Sequence, residues 1–252
     1  MDSSCCKRCM GSIQKSFLAL KSFNNYILTD VQRNYEHEIA EFSVACMSTH
    51  KIKILGTDGQ NSIVLFESKK PNGVLITSGW QGDEPAGWEA SEELVSLVPE
   101  CSFIPWISPG CFLNRTHTNN DGRNIDRDWP EAVTKEGFAL KNNIELLAKL
   151  GNRCCLSLQE DCKRSVGYFY GWETTTNLNT VIRNSMKRYV PEWTQNTSHK
   201  PPNGGRFCEY AVQSGCRCAV QLETPADGTV KLSTRIMCLV ATTQEIIKNL
   251  EG

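Results

Sequence analysis

Three short polar clusters each follow an apolar run. WQGDE (80–84) follows VLITSG, QEDC (159–162) follows CCLSL, and ETP (223–225) follows CAVQL. Acids and amides gathered at the ends of apolar runs can rim an active site, or they can form plain surface turns. Taken alone, Gln81-Gly82-Asp83-Glu84 also reads as a glycine-rich turn with an N-capping acid for the next helix. Cys162 offers a separate chemistry, that of a thiolate nucleophile. Such a thiolate needs a nearby His or a positive environment. No His lies close in sequence and acids precede it, which argues against a cysteine hydrolase.

The elements that must position these clusters follow from periodicity and turn signals. Residues 11–47 read as mainly helical, from the spacing of apolar residues in SFLALKSFNNYI and HEIAEFSVACM. KIKILGTDG alternates and reaches a turn at Asp58-Gly59, predicting a strand pair with SIVLFES. GVLITSG is an apolar, β-branched run suited to a central buried strand. A helix is predicted to start near Pro85, and SFIPWISPG to be a strand closed by a Pro-Gly turn. Residues 131–150 predict a helix interrupted near Gly137, and 176–190 a further helix. CCLSLQED and RCAVQLETP read as strands, and TRIMCLVATTQEIIKNL as a closing amphipathic helix. Alternation predicts that Cys216, Cys218, Val220 and Leu222 share one strand face, and Arg217, Ala219, Gln221 and Glu223 the other, with Glu223 at a rim.

Strands alternating with helices predict an α/β fold with a mixed, largely parallel central sheet flanked by helices. In such sheets sites form outside the carboxyl ends of strands, where the three polar clusters fall. No repeat or low-complexity linker divides the chain, so residues 13–252 are expected to form one domain, preceded by a disordered tail at 1–12.

Composition narrows the function classes. The 252 residues carry 27 basic and 28 acidic side chains, a net charge of -1, so no nucleic-acid partner is expected. No apolar stretch of about 18 residues predicts a membrane span, and the first thirty residues lack a signal-peptide run. Without one, the sequons at Asn114 and Asn196 carry little weight. Thirteen cysteines, scattered through apparent strands, read as reduced core thiols in a reducing, cytoplasmic setting. Cys6 and Cys9 form a lone CxxC without the second pair that a zinc knuckle requires. Asp2 rules out N-myristoylation; acylation of the clustered N-terminal cysteines is the alternative to a plain tail.

Four stretches, in order, resemble the M14 zinc carboxypeptidase family: GVLITSGWQGDEPAG, NRTHTNNDGRNIDRDWP, LSLQEDCKRSVGYFY and CAVQLETP. Together they span residues 50–225, most of the chain. The resemblance implies a carboxypeptidase-like single domain and assigns roles position by position. Glu84 is a metal ligand, and Gln81 and Gln159 stand where the family has its two zinc-binding His. Arg115 stabilises the oxyanion. Asp126 and Arg127 occupy the Asn-Arg pair that grips the substrate carboxylate, and Glu223 is the general base. The family's substrate Tyr has no clear counterpart beyond Tyr210. Of the four His, His37 and His50 lie upstream of the motifs. His117 lies two residues from Arg115, and His199 stands in the loop SHKPPNGGR; these two are candidates to replace a missing ligand.

A Gln/Glu/Gln set is oxygen-only with a single charge. Zinc is the cofactor implied by the resemblance, but such a set shifts preference toward Mg²⁺, Ca²⁺ or Mn²⁺, and a chain holding no metal is also open. Two functions follow. One is a metallocarboxypeptidase-like hydrolase of a peptide or amino-acyl amide with a free carboxylate, using metal-activated water. The other is an inactive pseudoenzyme that binds such a peptide through its arginines.

Overall fold

The computed structural model describes residues 35–190, 206–226 and 228–250. The expected tail at 1–12, the N-terminal part of the predicted helical region, Asn196 and His199 lie outside them. Helix α1 (Tyr35–Cys46) leads into the hairpin of β1 (His50–Thr57) and β2 (Ser62–Ser68), turned at Asp58-Gly59. Next come β3 (Val74–Thr77), α2 (Pro85–Leu97), β4 (Ser102–Ile104) and α3 (Pro109–Asn114). A 3₁₀ turn at Ile125–Arg127 precedes α4 (Lys135–Asn142) and α5 (Ile144–Leu150). The chain continues through β5 (Cys154–Asp161), β6 (Tyr168–Trp172), α6 (Thr176–Met186), α7 (Phe207–Gln213), β7 (Ala219–Pro225) and α8 (Leu232–Leu250).

The seven strands form one mixed sheet in the order β1-β2-β4-β3-β5-β7-β6. The central four, β4-β3-β5-β7, run parallel, while β1, β2 and β6 pair antiparallel at the margins. Every residue of β3 is buried, as its unbroken apolar sequence requires. Burying each such Val, Leu or Ile side chain is worth about 1.5–3 kcal/mol relative to exposure. From β3 the chain crosses to β4 on one side, then returns to place β5 on the other. The connections therefore diverge at β3, and a crevice opens at the carboxyl ends of the parallel strands.

Two apolar layers cover the sheet. One packs α1, α2, α6 and α8 on one face, and the other packs α4, α5 and α7 on the opposite face. Cys218, Val220 and Leu222 enter the first and Ala219 the second, as alternation requires. Cys216 precedes β7, escapes the alternation, and joins the second layer instead.

Three expected boundaries are corrected. Pro109-Gly110 starts helix α3 instead of closing a turn, since proline suits the first helical turn. The break in 131–150 falls at Asn143, whose amide bonds the Leu55 and Ala139 carbonyls, and Gly137 lies inside the first turn of α4. Helix α6 stops at Met186 rather than 190. Strand β6 and helix α7 were not anticipated as separate elements.

Candidate active site

The turn after β3 answers to glycine. Gly79 adopts a left-handed backbone with φ of 61°. A Cβ on Gly82 would lie 1.7 Å from the Cys111 carbonyl oxygen, so the turn can pack against α3 only without a side chain there. The Gly82 N–H donates to the Thr116 carbonyl at 2.8 Å. That bond draws the loop carrying His117 against the turn carrying Asp83 and Glu84.

Glu84 stands at the N-cap position of α2, but its side chain does not cap that helix. It accepts the Glu160 N–H at 3.1 Å, while Glu160 accepts the Ala86 N–H at 2.7 Å. The cap of α2 is thus supplied across the sheet from the end of β5. Glu160 also pairs with Arg235 of α8. Burial pushes the Glu160 carboxyl up to about 7, against the lowering influence of Arg235. Burial raises the Glu84 carboxyl well above the usual range, and the charge of Glu223 adds to it.

Glu223, expected at a rim, is 4% exposed. Strand β6 covers it, with Tyr168 directly opposite in register, and Arg206 approaches it to 4.0 Å. Burial pushes its carboxyl up to about 8, with Arg206 and a bond from Gln221 opposing the rise. The Gln221 Nε2 donates to Glu223 Oε1 at 2.6 Å.

Asp126 is also buried and accepts from Arg206 Nη1 at 2.5 Å. It takes further bonds from Gln221, at 3.4 Å, and from Gln159. Burial raises the Asp126 carboxyl, while Arg206 and Arg127 act to lower it. Arg206 lies 4.8 Å over the Tyr170 ring, which provides cation–π support. Sequence reading missed Arg206. It lies 80 residues from Asp126, and no spacing marks it beyond its place just before α7.

The remaining expected residues separate. Arg127 is half exposed, with Nη1 4.0 Å from Asp126 Oδ2. Arg115 is exposed at the C-terminus of α3, in a left-handed backbone conformation. Tyr210 stacks on Trp129 at 5.0 Å instead of reaching Glu223. Gln159 Nε2 donates to Ser157 at 2.9 Å. Gln81 Nε2 donates to Asn124 Oδ1 at 3.1 Å, which leaves its buried Oε1 without a partner.

These contacts test the site against a metal. Both Gln amides are engaged through nitrogen, and of the implied ligands only Glu84 brings charge. A better donor set lies beside it. Single ligand atoms of Asp83, Glu84 and His117 fall within 4.8 Å of one another. His117 Nδ1 is 3.4 Å from Asp83 Oδ1 and 3.7 Å from Glu84 Oε1. Two carboxylates and an imidazole fit a divalent cation.

No family model and no curated protein matches the chain. Solved structures do. A candidate metallopeptidase from Shewanella amazonensis SB2B aligns with a TM-score of 0.75 at 20% identity, over 86% of this chain and 93% of that one. Carboxypeptidase A from Helicoverpa armigera aligns at 0.69 and 13% identity, over 94% and 80%. A metallo-carboxypeptidase from Burkholderia cenocepacia aligns at 0.68 and 16%, over 87% and 69%. The chain therefore has a carboxypeptidase-like fold, a mixed seven-stranded sheet flanked by helices. Among the described residues, no helix is long and apolar enough to cross a membrane.

Proposed function

We propose that this chain is a metallopeptidase-type hydrolase that cleaves a peptide or amino-acyl amide bearing a free carboxylate, in a reducing cytoplasmic setting. One observation carries the reading. Glu84, in the turn after β3, and Glu223, near the end of β7, are both buried at the carboxyl end of the sheet, where the Glu84 carboxylate accepts the Glu160 N–H of β5 and Glu160 lies one residue from Gln159, the partner in register of Glu223. Burying acids costs free energy that a fold without a use for them has no need to meet.

The residues divide the work. Glu223, as carboxylate, takes a proton from the attacking water and returns it to the departing nitrogen. A carboxyl pushed up to about 8 can hold that proton between the two steps near neutral pH. Gln221 fixes the orientation of Glu223, and Arg206 limits how far its charge is disfavoured. Arg127 presents an exposed guanidinium suited to forked bonds with a substrate carboxylate. Arg115 is the reserve cation for the developing oxyanion. A divalent ion at Glu84, when bound, would supply water acidified from about 15.7 toward roughly 7.

The test is hydrolysis of a panel of N-acyl amino acids and dipeptides with added Zn²⁺ or Mn²⁺. Turnover that falls about 10²–10⁴-fold in Glu223→Gln is expected for loss of a general base. Absence of turnover across the panel in the unaltered protein sinks the hydrolase reading. A binding function is favoured by a different observation, the engagement of both Gln amides with protein partners. It predicts calorimetric binding of the same compounds without turnover, lost in Arg127→Ala.

A further inference from the structure

The metal positions implied by the resemblance and the donors that converge in the structure are different sets. We infer that the chain holds its divalent cation through Asp83, Glu84 and His117, with Gln159 outside the coordination sphere. This rests on the proposed metallohydrolase reading and names the ligands of that same site.

Distances are the first support. His117 Nδ1 lies 3.4 Å and 3.7 Å from the two carboxylates. A charge-assisted N–H···O bond is shorter, about 2.7–2.9 Å. Two donors each about 2.0–2.1 Å from one tetrahedral ion stand about 3.4 Å apart. His117 therefore stands from each carboxylate at a ligand-to-ligand spacing rather than at that of a short charge-assisted bond, with all three ligand atoms within 4.8 Å of one another.

The neighbouring amides are the second support. Gln81 is 3% exposed, and its Oε1 has no partner. The Nε2 of the same amide donates to Asn124 Oδ1, and Asn124 Nδ2 lies 3.1 Å from His117 Nε2. The unpartnered oxygen thus belongs to a side chain wired to the His117 ring. Gln159, by contrast, spends its amide on Ser157 and Asp126. Donor chemistry agrees, because an imidazole with two carboxylates suits zinc better than an oxygen set with one charge.

The wiring also predicts a change on binding. Asn124 Oδ1 accepts the Asp126 N–H at 3.0 Å as well as Gln81 Nε2, so its NH₂ group faces His117 Nε2. Ligation through Nδ1 moves the ring proton to Nε2. Two donors then oppose each other, and the Asn124 contact is released. Replacing Asn124 with Asp supplies an acceptor for that proton while keeping the bonds at Oδ1.

The experiment titrates the metal-free full chain with Zn²⁺ and Co²⁺. It reads stoichiometry by elemental analysis after excess is removed, and cobalt ligation by visible absorption. One ion per chain is expected. His117→Ala removes an exposed side chain, keeps its circular dichroism spectrum, and loses more than the about 10–100-fold affinity that an outer partner costs. Gln159→Ala binds as the unaltered chain does, and Asn124→Asp binds about 10-fold tighter. Unchanged affinity in His117→Ala, loss in Gln159→Ala, or weaker binding in Asn124→Asp overturns this ligand set while the metallohydrolase reading stands. No ion on the unaltered chain overturns both.

Discussion

Two acid clusters lie at the carboxyl ends of the same sheet, one of them buried and the other pairing buried Glu84 with exposed Asp83, and they are balanced in opposite ways. At the end of β7, Asp126 and Glu223 share Arg206, which is 4% exposed and held over Tyr170. At the turn after β3, His117 is the basic side chain that meets Asp83 and Glu84 among the described residues. The first cluster carries its own permanent cation and is closed. The second is the one that, on our proposal, a divalent cation completes. A binding function can be located in this molecule by asking which buried charge the protein leaves unbalanced.

The comparison can be broken from either side. The largest expected effect comes from Arg206→Met. It strands two buried carboxyls and should cost about 3–5 kcal/mol in urea unfolding. A loss below about 1 kcal/mol would show that the β7 cluster is not closed by this cation. Next, metal separates the clusters: zinc at a hundredfold excess over its dissociation constant should stabilise the chain by about 2.7 kcal/mol. His117→Ala should abolish that gain, and Arg206→Met should keep it.

The pH dependence of metal-free protein sharpens the contrast. The folded Glu223 carboxyl holds its proton up to about 8, against an ordinary value of 4.5. Its contribution to stability is therefore fully present below 4.5 and is lost as pH rises through about 8. Melting temperature should fall across that window, and Glu223→Gln should flatten part of the fall. The part left over belongs to the other carboxyls that burial raises, Glu160 to about 7 and Glu84, Asp126 and Glu136 upward as well. An equally steep fall in Glu223→Gln would remove Glu223 from the account. The smallest effect is that of Arg127→Ala. Stability should move by less than about 0.5 kcal/mol, because the side chain is half exposed. The KM for a carboxylate-bearing substrate should rise about tenfold, the loss of one charge-assisted contact.

The sheet was legible because its strands announce themselves. VLIT is unbroken apolar, β1 and β2 meet at Asp-Gly, and β5 and β7 end in acids. Strand β6 was not, since YFYGW is aromatic apart from Gly171, shows no alternation with polar residues, and follows a basic turn. Glu84 and Glu223 could be found because chain position alone sets one in the turn after β3 and the other near the end of β7. Their neighbours could not. Arg206 reaches Asp126 across 80 residues, and Arg235 reaches Glu160 across 75. Sequence reading left Glu223 at the surface for the same reason, because what covers it comes from β6 and from Arg206. His117 was in view as a replacement ligand, yet only the Gly82–Thr116 bond shows which acids it meets.

The pairing of Glu160 with Arg235 gives the molecule an order of assembly. During synthesis Glu84, Glu160 and Glu223 all leave the ribosome before Arg235 and the rest of α8. Until that last helix docks, Glu160 lacks its counter-ion, and the acid that tethers the start of α2 is held less firmly. Cys238, Leu239, Ile246 and Ile247 of that helix belong to the first apolar layer, so a chain cut off before Leu232 lacks part of its core as well as this counter-ion. Helix α8 thus ties completion of the core to the capping of α2, and the crevice should take its shape only after that helix has docked.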